Sequence, residues 1–169
     1  GIASADNDSA IETFSRQFGC PVESRQTDLE VRTTIESFTS DKYGVVYHNG
    51  PSEVVGGLRV AFVTTGDCDL EFLQNFDPNH EGQTENGRPG STKQDQNAIA
   101  RFIARRGPGL HHIALKTANI DGALASLHAA GHRVIDAAGR PGSRRALIGF
   151  IHPSALGGVL VHFVQREGP

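Results

Sequence analysis

Three side chains able to ligate a metal stand in apolar, strand-like stretches: Glu71 in Asp69–Asn75, His112 in Leu110–Leu115 and His162 in Gly158–Gln165. Two imidazoles and a carboxylate, with no thiolate among them, suit Co, Zn, Ni, Mn or Fe and leave positions open for substrate. Such a set supports Lewis-acid enolisation of a carbonyl compound, or oxygen chemistry at ferrous iron. Taken singly the signals are weak. A lone strand histidine is more often a satisfied structural residue than a ligand, and a lone strand glutamate is usually solvated on an outer face.

Strand parity is what aligns them. Alternate residues of a strand share a face. In Leu110–Leu115 the bulky set His111, Ile113 and Leu115 belongs under a helix, which sends His112 to the opposite side. In Val159–Gln165 the residues Val159, Val161 and Phe163 pack, leaving His162 with Leu160 and Val164. In Asp69–Gln74, Leu70 and Phe72 pack, and Glu71 shares its face with Asp69 and Leu73. Three strands thus each direct one metal-capable side chain away from the helices.

The elements that must carry these strands occur in two similar layouts. A short apolar piece at Gly1–Ser4 leads to cap candidates at Asp6–Asp8, a stripe of Ile11, Phe14 and Phe18, and a stop at Gly19. Leu110–Leu115 likewise leads to a cap at Asn119, a stripe of Ile120, Ala123, Leu124 and Leu127, a stop at Gly131, and a strand opening at Val134 and Ile135. Extended segments follow each helix: Leu58–Thr64 and Asp69–Asn75 in the first half, Arg145–His152 and Gly158–Gln165 in the second. The expected class is α+β: two βαβββ modules, each burying a helix against its own sheet. Residues 1–76 make the first module, 77–97 a linker rich in Gly, Asn and Gln, and 98–169 a linking helix (Ala98–Arg106) with the second module. An extra ribbon at Val31–Phe38 and Val45–Tyr47 interrupts the symmetry.

Composition narrows the function classes. A net charge of −3 over 169 residues argues against nucleic acid or a membrane surface as partner. No apolar run reaches spanning length and no signal pattern opens the sequence, so the cytoplasm is the expected compartment. Cys20 and Cys68 have neither metal spacing nor a disulfide framework, and read as small, buried or half-buried residues. Arginines gather at Arg101, Arg105 and Arg106 and at Arg140, Arg144 and Arg145, which suits either a solvated face or a phosphate-bearing small ligand. His152 with Pro153 reads as a structural turn; His111, His128 and His132 read as outer-face or helix-surface residues; His48 and His80 fall in loops.

The run Ile99–Leu115 (IARFIARRGPGLHHIAL) resembles the centre of methylmalonyl-CoA epimerases, within the vicinal-oxygen-chelate (glyoxalase) superfamily. Arg145–Pro153 (RALIGFIHP) and Gly157–Gln165 (GGVLVHFVQ) look like that family's closing strands. Gly57–Val63 (GLRVAFV) and Asp69–Leu73 (DLEFL) match more loosely. The resemblance implies that the two βαβββ modules form a cupped, partly closed mixed sheet, with one divalent metal on its concave face and Glu71, His112 and His162 at ligand positions. It implies an enolising isomerase or epimerase acting on an acyl-CoA or related α-substituted carbonyl substrate. Glu71 and His162 would be catalytic, and Ser143, Arg144 and Arg145 would meet the substrate's phosphates or carboxylate. A homodimer is also implied. Three departures stand out: His162 occupies a position where the family usually has Glu, Val60 stands near the family's catalytic glutamate, and the family's first His ligand would precede Gly1. Glyoxalase-type isomerase, lyase or dioxygenase chemistry, and metal-free ligand sequestration, are the alternatives within the same superfamily.

Overall fold

Two sheets carry the fold, and the computed structural model describes residues 1–40, 44–81, 88–89 and 98–166. The first sheet is dominated by a long antiparallel hairpin of β2 (Val22–Ser40) and β3 (Gly44–Thr64). β4 (Asp69–Phe76) pairs antiparallel with β3, and β1 (Ile2–Ala3) runs parallel to β4. β5 (Arg88–Pro89) lies along β2, and β6 (Gly109–Leu110) pairs with β1, giving the order β5-β2-β3-β4-β1-β6. The ribbon expected at Val31–Phe38 and Val45–Tyr47 is not a separate element. It is the distal part of the same hairpin, with register shifts at Val22/Ser24, Glu30/Val31 and Thr33/Ile35 that bend it. A short helix, α2 (Pro78–Glu81), opens the segment expected as a linker.

Helix α1 (Asn7–Glu12) begins where Asp6 accepts a hydrogen bond from Ser9 N–H at 3.1 Å. Its buried Ile11 packs on Ala61, Val63 and Phe72, on one face of the first sheet. The expected helical spacing then fails. Residues Thr13–Gln17 form a π turn, which Gly19 stops at φ 70°, and Cys20 N–H then folds back onto the Phe14 carbonyl. The wider turn rotates Phe18 away from the core, leaving it 66% exposed, whereas Phe14 still packs against Phe72 with centroids 5.4 Å apart.

The second sheet has the order β7-β10-β9-β8: β7 (Ile113–Lys116), β10 (Val161–Arg166), β9 (Ala146–Ile151) and β8 (Arg140–Pro141). Helix α4 (Ile120–Ala129), capped by Asn119 as expected, seats Ile120, Leu124 and Leu127 on Ile151, Val161, Leu147 and Phe163. A Cβ at Gly149 would lie 2.6 Å from Leu124 Cδ1, so the helix sits directly on the β9 backbone. Two expectations need correcting. The strand placed at Val134 and Ile135 is one isolated bridge to Ile151: Ile135 and Asp136 N–H both turn to the Phe150 carbonyl, which ends the pairing. Ile113 and Leu115, assigned to the helix-covered face, are 42% and 48% exposed, because β7 is an edge strand and α4 lies over β9 and β10.

Helix α3 (Ala98–Arg106) spans the expected residues. Its Ile99, Phe102 and Ile103 pack with Ala3, Val60, Phe62 and Leu73, on the face of the first sheet opposite α1. That face and the exposed-side face of the second sheet bound a common cavity of about 1280 Å³. Among the described residues no helix is long and apolar enough to cross a membrane.

Candidate functional site

Register places the second sheet's contribution. His162 pairs with Phe150 on β9 and with Ala114 on β7, so all three share the cavity face. The expected strand Leu110–Leu115 is broken where it matters. His111 and His112 N–H groups both point at the Gly1 carbonyl, at 2.8 and 3.2 Å, a bulge-like doubling that suspends the alternation of faces. His111 is therefore not an outer-face residue. It lines the cavity beside His112, with the two Nδ1 atoms 3.1 Å apart and its ring 5.0 Å from that of Phe102. Gly1 lies directly against this pair: its nitrogen donates to the His112 carbonyl at 2.9 Å, and a side chain there would collide with the His112 ring.

The first sheet supplies carboxylates from the facing wall. Glu71 pairs with Phe62, and Asp28 pairs with Leu58 one strand away from Val60. Glu71 Oε2 lies 3.2 Å from His112 Nε2, a contact close enough to be ionic but not aligned as a hydrogen bond. The rings of His112 and His162 are 4.6 Å apart, and each residue is only about 5% exposed: 4% and 5%. His112 Nε2 and both ring nitrogens of His162 are buried without a hydrogen-bond partner, an arrangement that costs stability unless something else satisfies them. Burial, reinforced by the neighbouring His112, pushes His162 down to about 3, so its imidazole is neutral at neutral pH with a free lone pair. His111 is lowered to about 4 for the same reasons in the same order. Asp28 is raised, chiefly by burial and further by the charge of Glu71, against the lowering effect of a Gln26 hydrogen bond.

These donors fit a divalent cation chemically, since neutral imidazole nitrogens and a carboxylate are its usual ligands. They are paired rather than closed on one point: among the described residues no three His, Cys, Asp or Glu side chains form a tight cluster.

At the rim, Ser143–Arg145 form a single 3₁₀ turn in which Arg144 and Arg145 have φ of 59° and 58°. Arg144 reaches across to the first sheet, donating from Nη1 to Asp69 Oδ2 at 2.9 Å and from Nη2 to Glu23 Oε1 at 2.6 Å. Its Cζ lies 4.3 Å from the Phe62 ring centroid. Arg166 adds a second bond to Asp69 Oδ2 at 3.1 Å. Burial alone would raise the Asp69 pKa; the Arg144 and Arg166 guanidiniums outweigh it and hold the group below the usual carboxylate range. Ser143 and Arg144 line the cavity, whereas Arg145 is exposed and lies off its lining. Among the cavity residues not singled out from the sequence as site residues are Asp28, Arg140 and Phe150. Arg140 was visible as part of an arginine cluster, and alternation within β2 was the only signal for Asp28. His128 and His132 are exposed as expected, and His152 caps the turn at Pro153 through Nδ1, which accepts from Ser154 N–H at 3.1 Å. His48 and His80 fall within β3 and α2 rather than in loops, and their side chains lie outside the described residues. Cys68 is exposed and Cys20 half-buried, both as free thiols.

A sequence model of the Glyoxalase/Bleomycin resistance protein/Dioxygenase superfamily matches residues 1–150, which take in the first sheet and most of the second but not β10 with His162. The chain belongs to that superfamily. Among curated relatives, the mitochondrial methylmalonyl-CoA epimerase of Dictyostelium discoideum is 32% identical over 116 residues, covering 68% of this chain and 60% of the relative. That of Bos taurus is 28% identical over 110 residues, covering 64% and 53%. The chain thus aligns with somewhat more than half the length of each. Methylmalonyl-CoA epimerase from Mycobacterium tuberculosis superposes with a TM-score of 0.63 at 23% identity, over 99% of this chain and 85% of that one. A methylmalonyl-CoA epimerase in complex with methylmalonyl-CoA and NH4+ gives 0.60 at 23% identity, over 100% and 94%.

The superfamily's duplicated layout is legible in one pair of contacts. Asn7 N–H, at the start of α1, donates to Gln74 Oε1 at 2.9 Å, and Ile120 N–H, at the start of α4, donates to Gln165 Oε1 at 2.7 Å. Glu71 and His162 stand at the same distance ahead of these two glutamines on their strands, and are therefore equivalent positions. Asp6 and Asn119 cap the two helices, so the position equivalent to His112 falls ahead of Gly1.

Proposed function

We propose that this superfamily member is an enolising isomerase, an epimerase of methylmalonyl-CoA or a similar α-substituted acyl-CoA. The observation that carries the reading is the buried His112–His162 pair with Glu71 at its side, unpartnered at the base of a cavity of about 1280 Å³. That volume exceeds the roughly 300–1,000 Å³ usual for small-molecule sites and suits a substrate with a long carrier arm. The curated relatives support the substrate class.

Glu71, His112 and His162 would hold a divalent metal ion, with Co, Zn, Ni, Mn and Fe all compatible with the donor set. Bound there, the ion would polarise the substrate's thioester carbonyl and so acidify the neighbouring carbon. The chain's own groups do the rest. Val60 occupies the place where the resembling family carries a glutamate base, and cannot move a proton. Asp28, on the neighbouring strand and facing the same cavity, is the carboxylate that takes the α-proton; its raised pKa brings it nearer to working pH. His162, in the position where the family usually has Glu, leaves the site one charge more positive, which favours a developing enolate. Neutral and buried, its imidazole keeps a lone pair available for the ion rather than binding a proton. Ser143 and Arg144 border the entrance and would orient the thioester arm. The working enzyme would be a cytoplasmic homodimer.

Deuterium incorporation at the α-carbon of methylmalonyl-CoA, measured on protein loaded in turn with each candidate metal, tests the assignment. No exchange with any metal leaves the fold standing and removes the epimerase reading. Oxygen consumption dependent on iron would transfer the chain to the dioxygenase branch of the superfamily. A second reading, ligand sequestration without metal, is favoured by one observation, the loss of both family carboxylates at Val60 and His162. Protein purified without chelators that carries no metal by elemental analysis, yet binds acyl-CoA, would establish it.

A further inference from the structure

We propose that Arg140 is the anion anchor of the cup, taking the free carboxylate of an α-carboxylated acyl thioester beside His162. The inference deepens the enolising reading and rests on it for the identity of the reacting carbon.

Arg140 opens β8 and pairs with Ile148 on β9, so its side chain shares the cavity face with Ile148 and with Phe150 one step along. Nε donates to Asp136 Oδ1 at 3.0 Å, and the other oxygen of Asp136 accepts Phe150 N–H at 2.8 Å. Asp136 is thereby fixed to the strand, and through it the guanidinium is fixed against the Phe150 ring, with Cζ 5.4 Å from the centroid. The opposite neighbour of that ring is His162, centroid to centroid 4.6 Å. Phe150 therefore spaces a cation from the imidazole at which the substrate's reacting end would sit.

Arg140 Nη1 is buried and has no hydrogen-bond partner. A buried charged donor left without a partner is costly, and a planar fork held at one end is preorganised for a carboxylate at the other. Of the cavity's other cationic side chains, two are tied to carboxylates at the rim. Arg144 spends both terminal nitrogens on Asp69 and Glu23, Arg166 pairs with Asp69, and Lys116 stands exposed at the end of β7. A carboxylate rather than a phosphate is the fitting anion, because Arg140 Nη1 is buried and the guanidinium stands one aromatic ring away from the buried imidazole.

The test compares wild type with Arg140→Gln and Arg140→Lys, all metal-loaded and checked for folding by circular dichroism. Two readouts are needed. The first is α-proton exchange with methylmalonyl-CoA and with 2-methylacetoacetyl-CoA, which has an acidic α-proton and no carboxylate. The second is calorimetric binding of methylmalonate, with adenosine 3′,5′-bisphosphate as the control for phosphate recognition. Arg140→Gln is expected to weaken methylmalonate binding and methylmalonyl-CoA exchange by at least about tenfold, with Arg140→Lys intermediate. Exchange of 2-methylacetoacetyl-CoA and binding of the bisphosphate should stay within about threefold. Equal losses on both thioesters, a loss confined to the bisphosphate, or unchanged methylmalonate affinity would overturn the inference. Should wild type exchange neither thioester, the enolising reading fails, and methylmalonate binding still decides Arg140: weakened in Arg140→Gln supports it, absent from wild type refutes it.

Discussion

Asp69→Asn should loosen the cross-sheet tie at the cavity rim, and its effect can be worked from the contacts. The substitution keeps size and removes charge from a carboxylate oxygen that accepts from Arg144 at 2.9 Å and from Arg166 at 3.1 Å. Charge-assisted bonds are worth about 1.5–3 kcal/mol each when sheltered. Arg144 is sheltered, its side chain 16% exposed, while Arg166 is 46% exposed and contributes little. Arg144 keeps Glu23, so a loss of about 2 kcal/mol is expected, a fall in Tm of roughly 4–8 °C for a chain of this size. The tie also holds Arg144 at φ 59°, a conformation costing an L-residue about 1–2 kcal/mol. With no tryptophan in the chain, urea unfolding is best followed by circular dichroism. Arg144→Ala should cost a similar amount, and the double variant should cost about 1 kcal/mol less than the two together. The pH dependence has a definite sign. Asp69 has a folded pKa below its unfolded value of 3.8, so its contribution is full above pH 3.8 and is lost as pH falls through the folded pKa. The gap between wild type and Asp69→Asn should thus be constant at neutral pH and shrink below pH 3.8. Additive single variants, or a gap that persists unchanged into acid, would refute the reasoning.

Other expectations follow from the same geometry. Arg145→Gly should raise stability by about 0.5–1 kcal/mol in thermal melts, because an exposed side chain held at φ 58° carries backbone strain; a fall in Tm would show that Arg145 makes a stabilising contact. Gly149→Val should cost about 1–3 kcal/mol and reduce α4 amide protection in hydrogen exchange, since its side chain would drive Leu124 off β9. His112→Ala should lower metal retention on dialysis by at least about tenfold and abolish α-proton exchange; full retention would remove His112 from the ligand set. Asp28→Asn should cut the exchange rate by about 10²–10⁴ while leaving metal content intact; wild-type exchange would send the search for the base to another group.

Much of this arrangement was legible from residue order. Alternation placed Leu70 and Phe72 under α1 and Glu71 on the facing side, because β4 is a regular strand paired along its whole length. The same logic found His162, whose strand is equally regular. It failed at His111, where two successive N–H groups share one carbonyl and the alternation lapses. That carbonyl belongs to Gly1, on a strand remote in sequence, so no local pattern could announce it. It failed again at Phe18, where an i→i+5 turn replaced the expected 3.6-residue period. Arg144 looked like a surface charge or a ligand for phosphate; its engagement by Asp69 and Glu23 depends on how the two sheets approach, which only the folded chain defines. Asp28 and Arg140 gain their character from burial on opposite walls of one cavity, a property that neither residue's neighbours in sequence encode.

The doubling of N–H groups on the Gly1 carbonyl brings two imidazoles nitrogen to nitrogen, and one proton must serve that contact. Either ring can hold it, and the choice fixes the tautomer of both. When His111 Nδ1 is the donor, neutral His112 must carry its own hydrogen on Nε2, facing Glu71. Whenever a Lewis acid engages the Nε2 lone pair of His112, the hydrogen must sit on Nδ1 instead, and His111 must become the acceptor with its hydrogen on Nε2. Ligand capture at His112 is thus written into the tautomer of its sequence neighbour. The ¹⁵N chemical shifts of His111 would report what happens at Nε2 of His112 without a probe ever touching that atom.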